Sequence, residues 1–296
     1  MDLHKLIYSI SVLVDAFGQG DKEQGFLYTM TFYGVIAFFI FLFTFSQTKE
    51  VVPPAVKQEE KSNIKEDFKA VNSQVWVIVI LNFLYFGLFV DRNTSVIYYV
   101  TYNLAREDLL TFVGFFGILS GLPILFIIPW LQRRFKQRSL MVAFALTYIV
   151  GDLVCLLMPG SIPAFVLSLA ITGVGMYGIF AVTFAIQPDV IDYSEYEKNR
   201  SISGMIAAMQ GFFVKFGMGV AAMLMGLILK SGGYVANQEQ TPDALFSIEF
   251  CYLYLPIITC VLILITIYFY KLDAIRGKMT EVLEMRRKQL AFAKEN

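Results

Sequence analysis

Seven stretches of this sequence are long and apolar enough to cross a lipid bilayer as helices. A spanning helix needs about 20 mainly apolar residues. The seven stretches run roughly over 24–45, 75–103, 109–131, 139–158, 161–187, 201–229 and 246–270. An eighth, roughly 3–17, is too short to cross comfortably. Hydrophobic residues make up 57% of the chain and charged residues 16%, against about 45–50% and about 25% in soluble domains. The sequence therefore predicts an all-α integral membrane protein with about seven full spans and one partial span.

A polar segment divides these spans into two groups. Residues 46–74 are rich in charge and contain a Pro-Pro pair, which predicts an aqueous linker with a short amphipathic helix over 62–71. The linker separates residues 1–45, with one partial and one full span, from a six-helix block over 75–272. Residues 273–296 are predicted to form a tail in the aqueous phase.

Lysine and arginine are unevenly divided between the two ends of the predicted spans. If the linker lies in the cytoplasm, the segments on that side hold 18 of these residues, whereas the opposite side holds three, Lys22, Arg106 and Lys230. Cytoplasmic segments of membrane proteins carry an excess of Lys and Arg. The sequence therefore predicts a multi-pass protein of the inner (plasma) membrane with a cytoplasmic C-terminus.

The residues that most enzymes need are scarce. The single histidine is His4, and Cys155, Cys251 and Cys260 lie inside apolar runs without metal-ligand or disulfide spacing. We find no nucleophile elbow and no zinc-binding helix motif. The net charge is zero. These features predict a protein that is not an enzyme, has no resident cofactor and binds no nucleic acid.

Asp91 and Arg92 lie near the middle of the predicted span 75–103. A charge at the bilayer centre costs about 2.5–3.5 kcal/mol on insertion scales, so such residues face protein or water and usually pair. One interpretation is a pair of inter-helix contacts that only holds the bundle together. The other is a polar cavity, to which Asn82 would add an amide.

Several tyrosines favour the cavity. Tyrosine combines an apolar ring with a hydroxyl, which suits a sugar-binding wall. The same tyrosines could instead form an interfacial belt at the end of the helix. The candidates are Tyr98, Tyr99 and Tyr102.

Lys215 is a second charge inside an apolar span. Four glycines share its helix stripe, at spacings of seven, four, four and seven residues: Gly204, Gly211, Gly219 and Gly226. A glycine stripe allows another backbone to approach closely, so Lys215 is predicted to point into packed protein. Snorkelling to the interface is the alternative. Gln210, on the same helix, joins Lys215 in the predicted substrate and ion pathway.

Two polar segments could form a gate at the cytoplasmic side. The short loop 131–140 carries Arg133, Arg134 and Arg138, which either anchor the helix ends or exchange partners with carboxylates. The second segment follows Pro188, where a new helical turn is predicted to begin, with Asp189 and Asp192 favoured by its dipole. A solvated acidic loop is the alternative. This second segment contributes Asp189, Asp192, Tyr193, Glu195 and Arg200 to the predicted gate.

The region from Pro188 to Tyr234 resembles the signature of the glycoside–pentoside–hexuronide:cation symporters, the melibiose-permease-like branch of the major facilitator superfamily. An acidic run, a basic residue, a Lys-hydrophobic-Gly helix centre and a Gly-Tyr pair occur in the family's order. They are Asp189, Val190, Asp192, Tyr193, Glu195, Arg200, Lys215, Gly217, Gly233 and Tyr234. "SVIYYVTYNL" is similar to the family's seventh helix, and "FSQTKEVV" to the end of its sixth.

The resemblance implies a partial fold of twelve helices in two halves that move by alternating access. It implies import of a sugar or sugar acid with Na⁺ or H⁺, with Lys215 near the site and the Asp189–Glu195 run as the cytoplasmic gate. The chain then begins inside helix five, and the family's cation site falls outside it. Its expected partners are the substrate, the bilayer and a separate N-terminal half. The alternative is a non-transporting remnant or half-transporter.

Overall fold

The computed structural model describes residues 9–18, 21–48, 68, 71–198 and 202–295. These residues form helices and short connections, and no strand occurs among them. The chain divides into two compact units, residues 1–53 and 54–296. The predicted amphipathic helix over 62–71 lies outside the described residues, apart from Phe68 and Val71.

The first unit is a pair of helices, α1 (Ser9–Gly18) and α2 (Lys22–Gln47), that pack on each other. Asp21 caps α2, since its carboxylate accepts hydrogen bonds from the backbone N–H groups of Glu23 and Gln24 at 2.9 and 3.3 Å. Most of the apolar surface of α2 is exposed, as expected for a helix that faces lipid.

The second unit contains the remaining α-helices of the described residues. They are α3 (Ser73–Tyr98), α4 (Leu110–Arg134), α5 (Gln137–Leu157), α6 (Ile162–Lys198), α7 (Ser203–Ser231), α8 (Pro242–Glu249), α9 (Leu255–Tyr268) and α10 (Arg276–Glu295). A π-helical turn, Tyr99–Asn103, extends α3, and another, Phe250–Tyr254, joins α8 to α9 into one long helix. Within the described parts of the chain, seven helices are long and apolar enough to cross a membrane, which confirms the predicted all-α membrane fold.

The packing of the second unit follows a few close helix pairs. α5 packs along α6, α4 against α6, and α3 along α7, while α9 contacts both α3 and α5. Gly217 allows α7 to approach α3, because a Cβ atom there would overlap the backbone of Phe83. In lipid, such close packing replaces the hydrophobic effect as the force between helices.

The predicted helix start at Pro188 is wrong. α6 runs unbroken from Ile162 to Lys198 with Pro188 inside it. Proline removes one backbone hydrogen bond, and membrane helices tolerate this when neighbouring groups compensate. Asp189 and Asp192 therefore lie inside α6, more than one turn before its end, and lack the favourable dipole of a helix start. Their stabilisation must come from contacts with other elements.

Candidate functional site

A buried charge pair links α3 to α5 at the centre of the second unit. Nη1 of Arg92 lies 2.8 Å from Oδ1 of Asp152, and the two side chains are 7% and 0% exposed. The same nitrogen donates to the backbone carbonyl of Tyr252 at 3.1 Å, and Nη2 donates to Oγ1 of Thr172 at 3.1 Å. One guanidinium thus joins α3, α5, α6 and the Phe250–Tyr254 turn.

Aromatic rings complete the surroundings of Arg92. Its guanidinium carbon lies 4.0 Å from the ring centre of Tyr252 and 5.7 Å from that of Tyr148. Cations over aromatic faces are attracted by the ring quadrupole, most strongly where water is excluded. The charge that looked unfavourable in the sequence is therefore compensated by a carboxylate, a hydroxyl, a carbonyl and two rings.

A cavity of about 540 Å³ adjoins this pair, between α3, α4 and α6. Its walls are mainly apolar, as in most small-molecule sites. The polar side chains that line it are Arg92, Asn93, Tyr148, Thr172 and Tyr177. The sequence suggests either an inter-helix pair or a polar cavity at this position. Arg92 forms an inter-helix pair and also lines a cavity.

Both amides predicted for the pathway lie elsewhere. Asn82 is buried and donates to the backbone carbonyl of Ile78 in its own helix at 2.9 Å. Gln210 is buried on α7, and its Nε2 atom has no hydrogen-bond partner among the described residues. Neither side chain lines the cavity beside Arg92.

The predicted tyrosine wall is divided between a core and a helix end. Tyr99 is buried and stacks on Tyr252, with ring centres 4.4 Å apart. Tyr98 and Tyr102 both contact the ring of Tyr234, whose hydroxyl donates to that of Tyr102 at 3.1 Å. Burial and this hydrogen bond raise the pKa of Tyr234 above its usual value. None of the three predicted tyrosines lines the cavity beside Arg92.

Lys215 lies on a face of α7 that is exposed in the described bundle, and so do the four glycines of its stripe. A Cβ atom added to any of these glycines would meet no other atom within 4 Å. They are Gly204, Gly211, Gly219 and Gly226. No described residue packs against this stripe, so the placement of Lys215 in packed protein stays a prediction. The close approach on α7 occurs instead at Gly217, on the opposite side.

The acidic end of α6 pairs with the C-terminal helix α10. Oδ1 of Asp189 lies 3.2 Å from Nε of Arg276, and Oδ1 of Asp192 lies 3.3 Å from Nη2 of Arg287. The hydroxyl of Tyr270 donates to Oδ2 of Asp189 at 3.2 Å. Burial and the nearby carboxylate raise the pKa of Tyr270, so it remains a donor. These contacts supply the stabilisation that the helix dipole does not.

Apolar contacts and one further hydrogen bond hold α10 in the same place. Met279 and Leu283 are buried and pack against Tyr193 and Tyr196 of α6. Nη1 of Arg286 donates to the backbone carbonyl of Glu195 at 3.0 Å. The predicted tail is thus an ordered amphipathic helix that covers the acidic end of α6.

In this conformation the arginines of the loop 131–140 have, among the described residues, none of the carboxylate partners that the predicted gate would require. Among the described residues, no ion pair joins a carboxylate to Arg133, Arg134 or Arg138. The guanidinium carbon of Arg134 lies 5.9 Å from the ring centre of Trp130. That of Arg138 lies 4.8 Å from the ring centre of Tyr268. Arg200, the last residue of the predicted gate, lies outside the described residues.

Asp273 fixes the loop in another way. Its carboxylate accepts from the backbone N–H groups of Gln137 and Arg138 at 3.2 and 2.9 Å, which caps the N-terminus of α5. A carboxylate there satisfies unpaired donors and is favoured by the helix dipole. The segment between α9 and α10 is therefore tied to the start of α5.

Several residues at the site were not singled out from the sequence. Asp152 could have been, because it is a lone carboxylate inside the predicted span 139–158. Asn93, Tyr148, Thr172 and Tyr252 give no comparable signal, since such residues are common in membrane helices. Within the described ranges, no group of three or more His, Cys, Asp or Glu side chains is placed to hold a metal ion.

Comparisons with known proteins agree with this architecture. Residues 6–274 match the family described as MFS/sugar transport protein. The chain is 38% identical over 274 residues to the uncharacterized symporter YnaJ of Bacillus subtilis, covering 91% of this chain and 59% of that protein. It is 34% identical over 288 residues to the isoprimeverose transporter of Lactiplantibacillus pentosus, covering 94% and 59%.

A more distant match is the glucuronide carrier protein homolog of Escherichia coli, 26% identical over 185 residues, or 61% of this chain and 40% of that protein. The chain thus spans about three-fifths of the length of the first two relatives. The matched proteins are transporters and not enzymes.

Proposed function

Because the chain belongs to the MFS/sugar transport protein family, we propose that it is the C-terminal portion of a secondary active transporter. In this proposal the complete transporter carries a sugar in symport with Na⁺ or H⁺ and works by alternating access. The observation that carries the proposal is the cavity of about 540 Å³ beside Arg92, lined by side chains of membrane-spanning helices. Apolar walls with a few polar groups are suited to a sugar, which needs stacking and oriented hydrogen bonds.

A neutral sugar fits this cavity better than a sugar acid. Its charged lining residue is Arg92, and the positive charge of Arg92 is compensated by Asp152 at 2.8 Å. Asn93 and Tyr177 supply uncharged donors and acceptors. Isoprimeverose, which names one of the relatives, is therefore the first sugar to test, with a glucuronide as the charged comparison.

The contact between α6 and α10 supports a role as a gate. It combines two ion pairs with the buried side chains of Met279 and Leu283. Alternating access requires contacts at each end of the helices that form in one state and separate in the other. In this proposal the α6–α10 contact lies on the cytoplasmic side, the C-terminus is cytoplasmic, and the protein resides in the plasma membrane.

The exposed face of α7 favours assembly with a second helical half. A lysine in the middle of a spanning helix is costly against lipid, by about 2.5–3.5 kcal/mol on insertion scales. Lys215 is exposed on the described bundle, and small glycines surround it. We propose that this face meets a complementary N-terminal half and that Lys215 borders the aqueous pathway between them. A half-transporter that needs this partner is the second candidate function.

Uptake into proteoliposomes tests these proposals. The purified chain is reconstituted alone, or together with the N-terminal helices of the Bacillus subtilis symporter, and labelled isoprimeverose is offered under a Na⁺ or an H⁺ gradient. Gradient-driven uptake by the chain alone supports a transporter, and uptake only by the pair supports a half-transporter. An absence of uptake in both preparations, for the neutral sugar and for the glucuronide, contradicts the proposed function.

A further inference from the structure

The centre of the second unit contains two carboxyl groups but one guanidinium. Asp91 is 3% exposed, and neither of its carboxyl oxygens has a hydrogen-bond partner among the described residues. It interacts electrostatically with both Arg92 and Asp152. Arg92 is engaged by Asp152, Thr172 and the carbonyl of Tyr252. The positive charge at this point is therefore already matched by Asp152 alone.

Other nearby groups do not supply a second positive charge. From α5, the titratable neighbours of the Arg92–Asp152 pair are Tyr148 and Cys155, and α9 adds Cys260. The Phe250–Tyr254 turn brings Cys251 to Asp91 and Tyr252 to Arg92. From α6, Ser168 and Thr172 are buried but uncharged. The lysines of α7, Lys215 and Lys230, are both exposed.

A buried carboxylate without a partner costs so much free energy that it binds a proton instead. We propose that Asp91 holds one exchangeable proton at the centre of this bundle, and that its release changes the charge beside Arg92 at the wall of the sugar cavity. The link to the sugar rests on the proposed function, whereas the proton does not. Protonation forms one O–H bond on the Asp91 carboxylate, and release returns the proton to water.

A proton fits this position better than a metal cation. It needs a single oxygen, whereas a hard cation such as Ca²⁺ takes about six to eight oxygen ligands. The neighbours of Asp91 include the thiol of Cys251 and the guanidinium of Arg92, which is a poor ligand set for such an ion. Arg92 also lines the cavity, so a change in the charge of Asp91 would be felt at the proposed sugar site.

Infrared difference spectroscopy of the purified chain in lipid nanodiscs tests the proton directly. We expect a carboxylic-acid carbonyl band at neutral pH in the wild-type protein that is lost in Asp91→Asn. The matched control is Asp108→Asn, which removes an exposed carboxylate paired with Arg106, and we expect it to leave the band unchanged. Asn resembles the neutral acid in size, and circular dichroism checks that the variant is folded.

Asp152→Asn provides a second test of the same charge balance. With Asp152 neutral, Arg92 has one carboxylate left, so Asp91 ionises and the band is again lost. A wild-type spectrum without the band, or a band that survives in Asp91→Asn or in Asp152→Asn, overturns the proposal. Loss of the band on addition of Na⁺ at constant pH would also overturn it, in favour of a sodium site. Because no sugar is present, a failure of sugar transport leaves this result unaffected.

Discussion

The guanidinium of Arg92 on α3 lies 2.8 Å from the carboxylate of Asp152 on α5, and both side chains are buried. The pair ties together two helices that both pack on α9. It also fixes the position of Arg92 at the wall of the cavity. The stability of the bundle and the shape of the candidate sugar site therefore depend on the same contact.

The two partners of this pair should respond differently to substitution. Arg92→Met leaves buried carboxyl groups without a cation, and removing one partner of a buried pair costs about 3–5 kcal/mol. Asp152→Asn should cost less, because Asp91 is available to replace the lost carboxylate. Denaturant unfolding in detergent, followed by circular dichroism, measures both free energies. Arg106→Met, at an exposed pair, is the control and should leave stability unchanged. Equal losses for Arg92→Met and Asp152→Asn would contradict the account.

Substitution of glycines on the two sides of α7 should change the unfolding free energy by different amounts. At Gly217 a Cβ atom would overlap the backbone of Phe83, so Gly217→Ala must push α7 away from α3. Overpacking of this kind costs about 1–3 kcal/mol. At Gly219 a Cβ atom meets nothing within 4 Å, so Gly219→Ala should change the unfolding free energy by less than about 0.5 kcal/mol. A larger loss for Gly219→Ala than for Gly217→Ala would show that the packed side of α7 has been misassigned.

The docking of α10 can be tested through its buried leucine. Leu283 is 0% exposed, and burying such a side chain contributes about 1.5–3 kcal/mol. Leu283→Asp should raise the population of undocked α10 roughly tenfold or more, and tryptic cleavage after Arg286 and Arg287 should accelerate accordingly. Met285→Asp is the matched control because Met285 is 51% exposed. Equal cleavage rates for the two variants would mean that α10 is not held by this contact.

The spans could be predicted from the sequence because hydropathy reports directly on the solvent of a membrane helix. The predicted span 75–103 corresponds to the helix Ser73–Asn103, and 139–158 to Gln137–Leu157. The prediction failed at Pro188, where local chemistry suggested a break that α6 does not make. A proline signals a missing hydrogen bond, but the sequence does not show whether the surrounding helices compensate for it.

The site was predicted in part. Asp91 and Arg92 were recognisable because charge in an apolar span is unusual. Their partners come from other helices, and the order of helices around the bundle cannot be read from hydropathy. The glycine stripe of α7 shows the same limit: its spacing indicates a flat face, but not whether the described chain covers it. Asp189 and Arg276 form an ion pair although they lie 87 positions apart in the sequence, from 189 to 276. No local sequence pattern indicates this pair.

Lys215 should matter for transport and not for stability. Its side chain is exposed on the described bundle, so Lys215→Ala should change the unfolding free energy by no more than about 0.5 kcal/mol. In the reconstituted pair it should abolish gradient-driven uptake if Lys215 borders the pathway. Lys230→Ala, at the end of the same helix, is the control and should retain uptake. Unchanged uptake kinetics in Lys215→Ala would remove this residue from the proposed pathway.

The most direct test of the central claim is equilibrium binding of labelled isoprimeverose to the purified chain in nanodiscs. Asn93 lines the cavity and is exposed to it from α3, so Asn93→Leu removes a hydrogen-bonding group and fills part of the space. We predict saturable binding that weakens at least roughly tenfold in Asn93→Leu, the equivalent of about 1.4 kcal/mol, and is retained in Asp108→Asn. Saturable binding that is identical in the wild type and in Asn93→Leu, or no binding of any sugar tested, would contradict the assignment of this cavity as the sugar site.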